Sequence, residues 1–143
     1  MITDEIVRTT SVRVRYADTD KMGIVYNGNY LRFFEIGRTE LLRQIGLPYV
    51  NLESAGYLLP VLEAHVEYRS PARYDDLLDI ITRFRYTGGA RIDISYEIEH
   101  ERRSVAVGYT KHTFVTSDTF RPIKPPQQFI AAMERELQQR SIP

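Results

Sequence analysis

The chain has no cysteine among its 143 residues, which removes disulfides, thiolate metal sites and a cysteine nucleophile together. It has no net charge: 19 Lys and Arg balance 19 Asp and Glu. There is thus no basic footprint for a phosphate backbone, and nucleic acid is not an expected partner. No window approaches the ~20 apolar residues a membrane helix needs, so membrane insertion is not expected. The opening MITDEIVRTT carries two acids and no apolar run, unlike a signal or transit peptide. A cytoplasmic protein is the expectation. Gly-Xaa-Ser-Xaa-Gly and Gly-Lys-Ser/Thr are both missing, which removes the nucleophile elbow and the phosphate cradle. The histidines, His65, His100 and His112, share no metal-ligand spacing and read as surface or edge-strand residues.

What is present reads as one domain, residues 1–143. Ser11 to Tyr16 alternates as a first strand, with Val12, Val14 and Tyr16 on the buried face. Asp18 to Tyr26 is a loop. From Asn29 to Gln44 the residues Tyr30, Phe33, Phe34, Gly37 and Leu41 recur at three- and four-residue steps, and Ile45 extends the series. This is the pattern of a helix with one buried stripe, and Gly46 and Pro48 stop it. Its exposed side offers the pairs Arg32–Glu35 and Glu40–Arg43.

A short helix or turn is expected at Val50 to Ala55. Four alternating runs follow it. The first is Leu62 to Arg69, ended by Pro71. The next two, Leu78 to Tyr86 and Ile92 to Ile98, make a hairpin about Thr87-Gly88-Gly89-Ala90. After a turn at His100 to Arg103 comes Ser104 to Thr116. Pro122, Pro125 and Pro126 close the sheet region, and Phe129, Ile130, Met133 and Leu137 stripe a terminal helix. The fold class is therefore α+β: a five-stranded antiparallel sheet whose apolar faces wrap one long central helix, about 24 Å long.

Taken alone, an Asp in a loop before a helix is a turn or capping residue. Asp18-Thr19-Asp20 with Gly23 half-resembles a calcium loop, but Met22 stands where a ligand belongs and Asn29 replaces the bidentate glutamate. The wider pattern says more. From Val14 to Gly46, the residues Tyr16, Asp18-Thr19-Asp20, Gly23, Val25-Tyr26, Asn29-Tyr30, Phe34-Glu35, Arg38 and Leu42-Arg43 resemble the hotdog-fold acyl-CoA thioesterases. Within these, the chain is similar to the 4-hydroxybenzoyl-CoA thioesterase-like group, which includes the thioesterase of Tol-Pal gene clusters. Arg69-Ser70-Pro71-Ala72, Tyr74-Asp75-Asp76 and Arg121-Pro122-Ile123 extend the resemblance over most of the chain.

The resemblance implies a hotdog fold, a homodimer or dimer of dimers, and an active site at the dimer interface. The implied substrate is an acyl-CoA, with coenzyme A part of the substrate and no further cofactor. It assigns catalysis to Asp20 and polarisation of the thioester carbonyl to the backbone amide of Asn27. Elementary chemistry agrees with this. Preorganised amides near a helix N-terminus, here those of Asn27, Gly28 and Asn29, stabilise an oxyanion. A carboxylate beside them serves as general base or as nucleophile. Asp18 is expected to fix the loop or tune Asp20.

Many relatives carry His where this chain has Asn27. A hotdog hydratase would need His five residues beyond an Asp, where this chain has Gly23 and Val25. Glu35, the position of the acid in a second hotdog type, is expected to pair within the helix with Arg32 or Arg38. Arg73 and Arg91 are candidates for the phosphates of coenzyme A. The alternatives are a thioesterase acting on acyl carrier protein, marked by an exposed basic groove, and a non-catalytic acyl-binding hotdog module.

Overall fold

The structure, a computed structural model, describes residues 5–86 and 88–140. Five main strands form one antiparallel sheet: β1 (Glu5–Arg13), β3 (Val61–Tyr68), β4 (Leu77–Arg85), β5 (Arg91–His100) and β6 (Arg103–Thr116). They lie in the order β1-β4-β5-β6-β3. Two-residue strands β2 (Tyr57–Leu58) and β7 (Pro122–Ile123) pair with the end of β6. Three helices complete the fold: α1 (Asn29–Gln44), α2 (Tyr49–Ser54) and α3 (Gln127–Arg140).

The predicted helix has its observed bounds in α1, and its end has a specific cause. Gly46, at φ 82°, lets its amide reach the Arg43 carbonyl and the Leu47 amide reach that of Leu42, the paired bonds of a Schellman stop. Tyr30, Phe33, Phe34, Gly37, Leu41 and Leu42 are buried. The ring of Phe34 stacks on Tyr96 of β5 at 4.2 Å. That close approach needs glycine on β6, since a Cβ on Gly108 would lie 2.7 Å from Phe34 and 2.2 Å from the His65 carbonyl. Ile92, Ile94, Tyr96 and Ile98 are buried as the alternation of β5 predicts. On α3, Phe129 packs against Phe84, Tyr86 and Phe114.

Several expectations need correction. The first strand begins at Glu5 and ends at Arg13, so Tyr16 is not on its buried face. Instead Tyr16 to Asp18 forms a 3₁₀ turn, closed by the Asp18 and Thr19 amides on the Arg15 and Tyr16 carbonyls. Tyr16 is left 74% exposed, stacked on Tyr74. The turn between β5 and β6 is only Glu101-Arg102, both at positive φ, the two-residue geometry that matches strand twist. Pro122 opens a strand, at a first position that needs no ladder donor. Residue 87 of the predicted hairpin turn and the first four residues lie outside the described residues.

The most consequential correction concerns β3. Its pairing is to β6, and among the described residues no strand takes its other edge. The apolar row is only partly covered by α1: Leu62 and Tyr68 are 51% and 54% exposed, although Val66 packs against the core and Tyr68 meets Tyr30 of α1 edge-on.

His112 also departs from its reading as a surface residue. It is fully buried, with Nδ1 3.1 Å from the Leu59 carbonyl and Nε2 2.7 Å from Thr110 Oγ1. Burial lowers its pKa to about 4. In the neutral ring Nδ1–H must donate to the carbonyl, so Nε2 accepts from Thr110. Thr110 in turn accepts from the Tyr96 hydroxyl at 2.6 Å.

Candidate active site

The loop before α1 is built on Asp18. Its side chain is buried, and Oδ2 accepts the Arg15 amide at 2.9 Å. Oδ1 is ion-paired with Arg32, with Arg15 at 3.6 Å. The Asp18 carbonyl accepts from the Tyr26 amide and from Asn29 Nδ2 at 2.8 Å. Asp18 is therefore a fastening for both ends of the loop, and both carboxylate oxygens are occupied, Oδ1 by guanidinium groups and Oδ2 by the Arg15 amide. Arg32 is the correction to the predicted Arg32–Glu35 pair. Glu40 and Arg43 do pair, at 3.3 Å. Glu35 forms no ion pair among the described residues and borders, with Arg38, a separate cavity of about 240 Å³.

Asp20 is held differently. Its backbone closes a tight turn, with its amide on the Ile24 carbonyl and the Gly23 amide on its own carbonyl, each at 2.9 Å. Gly23 supplies the φ of 78° that this turn needs. One carboxylate oxygen accepts the Met22 amide at 2.8 Å, and the side chain is partly exposed. No other side-chain bond to the Asp20 carboxylate is made among the described residues, so it remains available.

Asn27 follows in a second turn, closed by the Asn29 amide on the Tyr26 carbonyl at 2.9 Å. Gly28 is the N-cap of α1, and no side chain caps the helix. Asn29's amide is used in the turn. The Asn27 and Gly28 amides donate to no protein acceptor among the described residues. Two of the three predicted amides are thus unspent at the positive end of a helix.

Asp20 and Asn27 border one cavity of about 550 Å³, whose walls are mainly Met22, Ile24, Val25, Tyr26, Tyr30, Tyr68 and Pro71. Arg69 and Ser70 add polar groups at the β3 side. The Tyr68 hydroxyl donates to the Asn27 carbonyl at 3.0 Å, tying the end of β3 to the entrance of α1. Tyr68 and Tyr30 carry only core signals in the sequence, strand alternation and helix period. Their convergence follows from sheet pairing that no local pattern contains. Of the candidate phosphate ligands, Arg73 is bridged through its backbone to Ile24 of the cavity wall. Arg91 pairs with Thr113 at the far end of β6 from this cavity.

A sheet wrapped around α1, with the loop at the helix entrance, is the hotdog form of the α+β class. Residues 14–133 match the model of the thioesterase-like superfamily, and the chain belongs to that family. It is similar to the putative acyl-CoA thioesterase YneP of Bacillus subtilis, with 34% identity over 82% of this chain and 86% of that protein. Among solved structures it is similar to a hypothetical protein from Thermus thermophilus, at 30% identity, with a TM-score of 0.84 over 91% of this chain and 97% of the other. It is also similar to a DHNA-CoA thioesterase from Staphylococcus aureus, at 28% identity, with a TM-score of 0.86 over 94% of this chain and 93% of the other. No helix among the described residues is long and apolar enough to cross a membrane.

Proposed function

We propose that this chain is an acyl-CoA thioesterase, releasing a carboxylic acid and free coenzyme A. The observation that carries the reading is one cavity bordered by both an available carboxylate, Asp20, and a residue with an unspent helix-entrance amide, Asn27. The names of the Bacillus subtilis and Staphylococcus aureus proteins point the same way.

In this reading the thioester carbonyl oxygen accepts the Asn27 N–H, which stabilises the negative charge that develops on attack. By one route Asp20 takes a proton from water as the water oxygen bonds to the carbonyl carbon, and collapse expels the coenzyme A thiolate, which regains a proton. By the other, an Asp20 oxygen attacks, the thiolate leaves, and water opens the mixed anhydride. Both routes need the same carboxylate and amide.

The working unit is a homodimer, or a dimer of dimers, joined through β3. An open edge with exposed Val61, Leu62 and Tyr68 is what pairing with a second copy would cover. Antiparallel pairing sets the Val61 end of one copy beside the Tyr68 end of the other. It would close the open side of each cavity and bring the Arg91 end of the second sheet toward it.

Incubation with a panel of acyl-CoAs and a thiol-detecting reagent tests the activity. Thiol release that disappears in Asp20→Asn is the expected result, and no release from any acyl-CoA would refute it. Light scattering should find a dimer or tetramer at micromolar protein, and a fully active monomer would refute the shared site.

A further inference from the structure

The hydroxyl of Tyr68, at the end of β3, donates to the Asn27 carbonyl at 3.0 Å. That carbonyl belongs to the residue whose amide the hydrolytic reading aims at the thioester oxygen. Within α1 the same carbonyl is met only loosely, by the Tyr30 amide at 3.4 Å, beyond the roughly 2.7–3.2 Å of a normal N–H···O bond. Tyr68 is its nearer partner.

Asn27 joins two peptide planes, and each is held through its carbonyl. The Tyr26 carbonyl accepts the Asn29 amide at 2.9 Å, inside the turn, and the Asn27 carbonyl accepts the Tyr68 hydroxyl from another strand. No peptide bond among the described residues is cis, so in each plane the N–H lies opposite the carbonyl. Holding the two carbonyls therefore sets the direction of the Asn27 and Gly28 amides, neither of which has an acceptor among the described residues.

As a fastening for the fold this bond is poorly placed. Tyr68 is 54% exposed, the last residue of a strand whose outer edge is unpaired among the described residues, and water competes for both partners of such a bond. Its ring meets Tyr30 edge-on at 5.5 Å, a contact that phenylalanine would keep. Little stability is at stake. An oxyanion donor, by contrast, is worth only what its aim allows, and a displacement on the order of 1 Å can cost a hundredfold in rate.

We propose that Tyr68 is a positioning residue: its hydroxyl holds the turn at residue 27 so that the Asn27 amide keeps its aim at the thioester oxygen. This rests on the acyl-CoA thioesterase reading and adds to it a residue that acts through Asn27. The strand that a second copy would cover thereby also carries the hold on the amide.

Tyr68→Phe, Asn27→Pro and the double variant are compared with wild type in thiol release from an acyl-CoA that wild type hydrolyses, with thermal melts and light scattering alongside. Tyr68→Phe should melt and assemble as wild type does, and should lose about tenfold in kcat with KM changed less than about twofold. In the Asn27→Pro background, where the amide is gone, the same substitution should cost nothing further. An unchanged kcat, a loss confined to KM, or a second tenfold loss on top of Asn27→Pro overturns the proposal, the last because Tyr68 would then act on something other than this amide. A further readout needs no turnover. The Gly28 N–H shares a peptide with the Asn27 carbonyl, so removing the hydrogen bond to that carbonyl should shift the Gly28 nitrogen-15 resonance upfield in Tyr68→Phe. An unmoved resonance shows that the hydroxyl does not hold this peptide and overturns the proposal too. Absent thiol release from wild type, or wild-type turnover by Asn27→Pro, is seen before Tyr68 is touched and removes the reading beneath the proposal together with it.

Discussion

Asp18 and Arg32, fourteen residues apart, form an ion pair in which the carboxylate is buried and the guanidinium is partly open to solvent. The pair ties the loop to α1, whereas the carboxylate of Asp20, two residues on, is bonded only by the Met22 amide among the described residues. The two carboxylates therefore fail in different ways when neutralised. Asp18→Asn strands Arg32 and should cost about 1–3 kcal/mol, less than a wholly buried pair because water reaches the guanidinium. It should retain much of the turnover at temperatures where it is folded. Asp20→Asn should melt near wild type and lose a hundredfold or more in kcat. Thermal melts and thiol-release kinetics on both variants check the division. Equal loss of kcat in two fully folded proteins would refute it.

A second prediction concerns acid. The folded-state pKa of His112 is lowered from 6.5 to about 4, so between these values the unfolded chain binds a proton that the folded chain refuses. Stability from this group is complete above pH 6.5 and is lost as pH falls through 4, by about 3 kcal/mol in all. His112→Gln should be less stable at pH 7, but its stability should fall less steeply over that window. Denaturant unfolding at pH 7, 5.5 and 4.5 measures the difference. Parallel curves for the two proteins would show that His112 does not set the acid sensitivity.

These cases also mark what the sequence discloses. The bounds of α1 and the alternation of β5 are legible because helix period, a glycine stop and strand alternation are local. His112 is misread because its acceptor, the Leu59 carbonyl, is 53 residues away. The first half of β1 is missed because an edge strand with Ile6 as its one fully buried residue shows little alternation. Arg8 on that strand is partnered by Glu136 of α3, at the other end of the chain. The cavity is legible only in part. Its loop wall is contiguous in sequence, but Tyr68 to Pro71 arrive through the pairing of β3 with β6.

The crossing of α1 over β4 yields a third prediction. A Cβ on Gly37 would lie 2.4 Å from Thr82 Oγ1 and 2.8 Å from Ile80 Cγ2, distances that force the helix or the strand to move. Gly37→Ala should cost about 1–3 kcal/mol despite alanine's better helix propensity. The Thr82 hydroxyl itself is buried without a partner among the described residues. Thr82→Val replaces it by a methyl of the same shape and should be neutral or stabilising. Melting temperatures of the two variants should move apart, and a strongly destabilised Thr82→Val would mean that the hydroxyl is satisfied in the folded protein.

The last prediction separates the side chain of Asn27 from its amide. Gly28, not Asn27, caps α1, and the Asn27 side chain makes no hydrogen bond among the described residues. Asn27→Ala should therefore cost little stability, less than the ~1 kcal/mol of a lost cap, and leave most of the rate. Asn27→Pro removes the amide. The turn from Tyr26 to Asn29 is closed by an i to i+3 hydrogen bond, and Gly28 sits at φ −67° and ψ −20°, so position 27 is the i+1 site at which proline is favoured. The substitution deletes a donor that no acceptor among the described residues uses, at a turn position where proline is favoured. Its fold and assembly should survive, as circular dichroism and light scattering would register, while kcat drops about a hundredfold for one lost oxyanion donor. If folded Asn27→Pro turned over at the wild-type rate, the amide would have no part in catalysis. If Asn27→Ala proved as inactive as Asp20→Asn, the asparagine side chain would be the acting group.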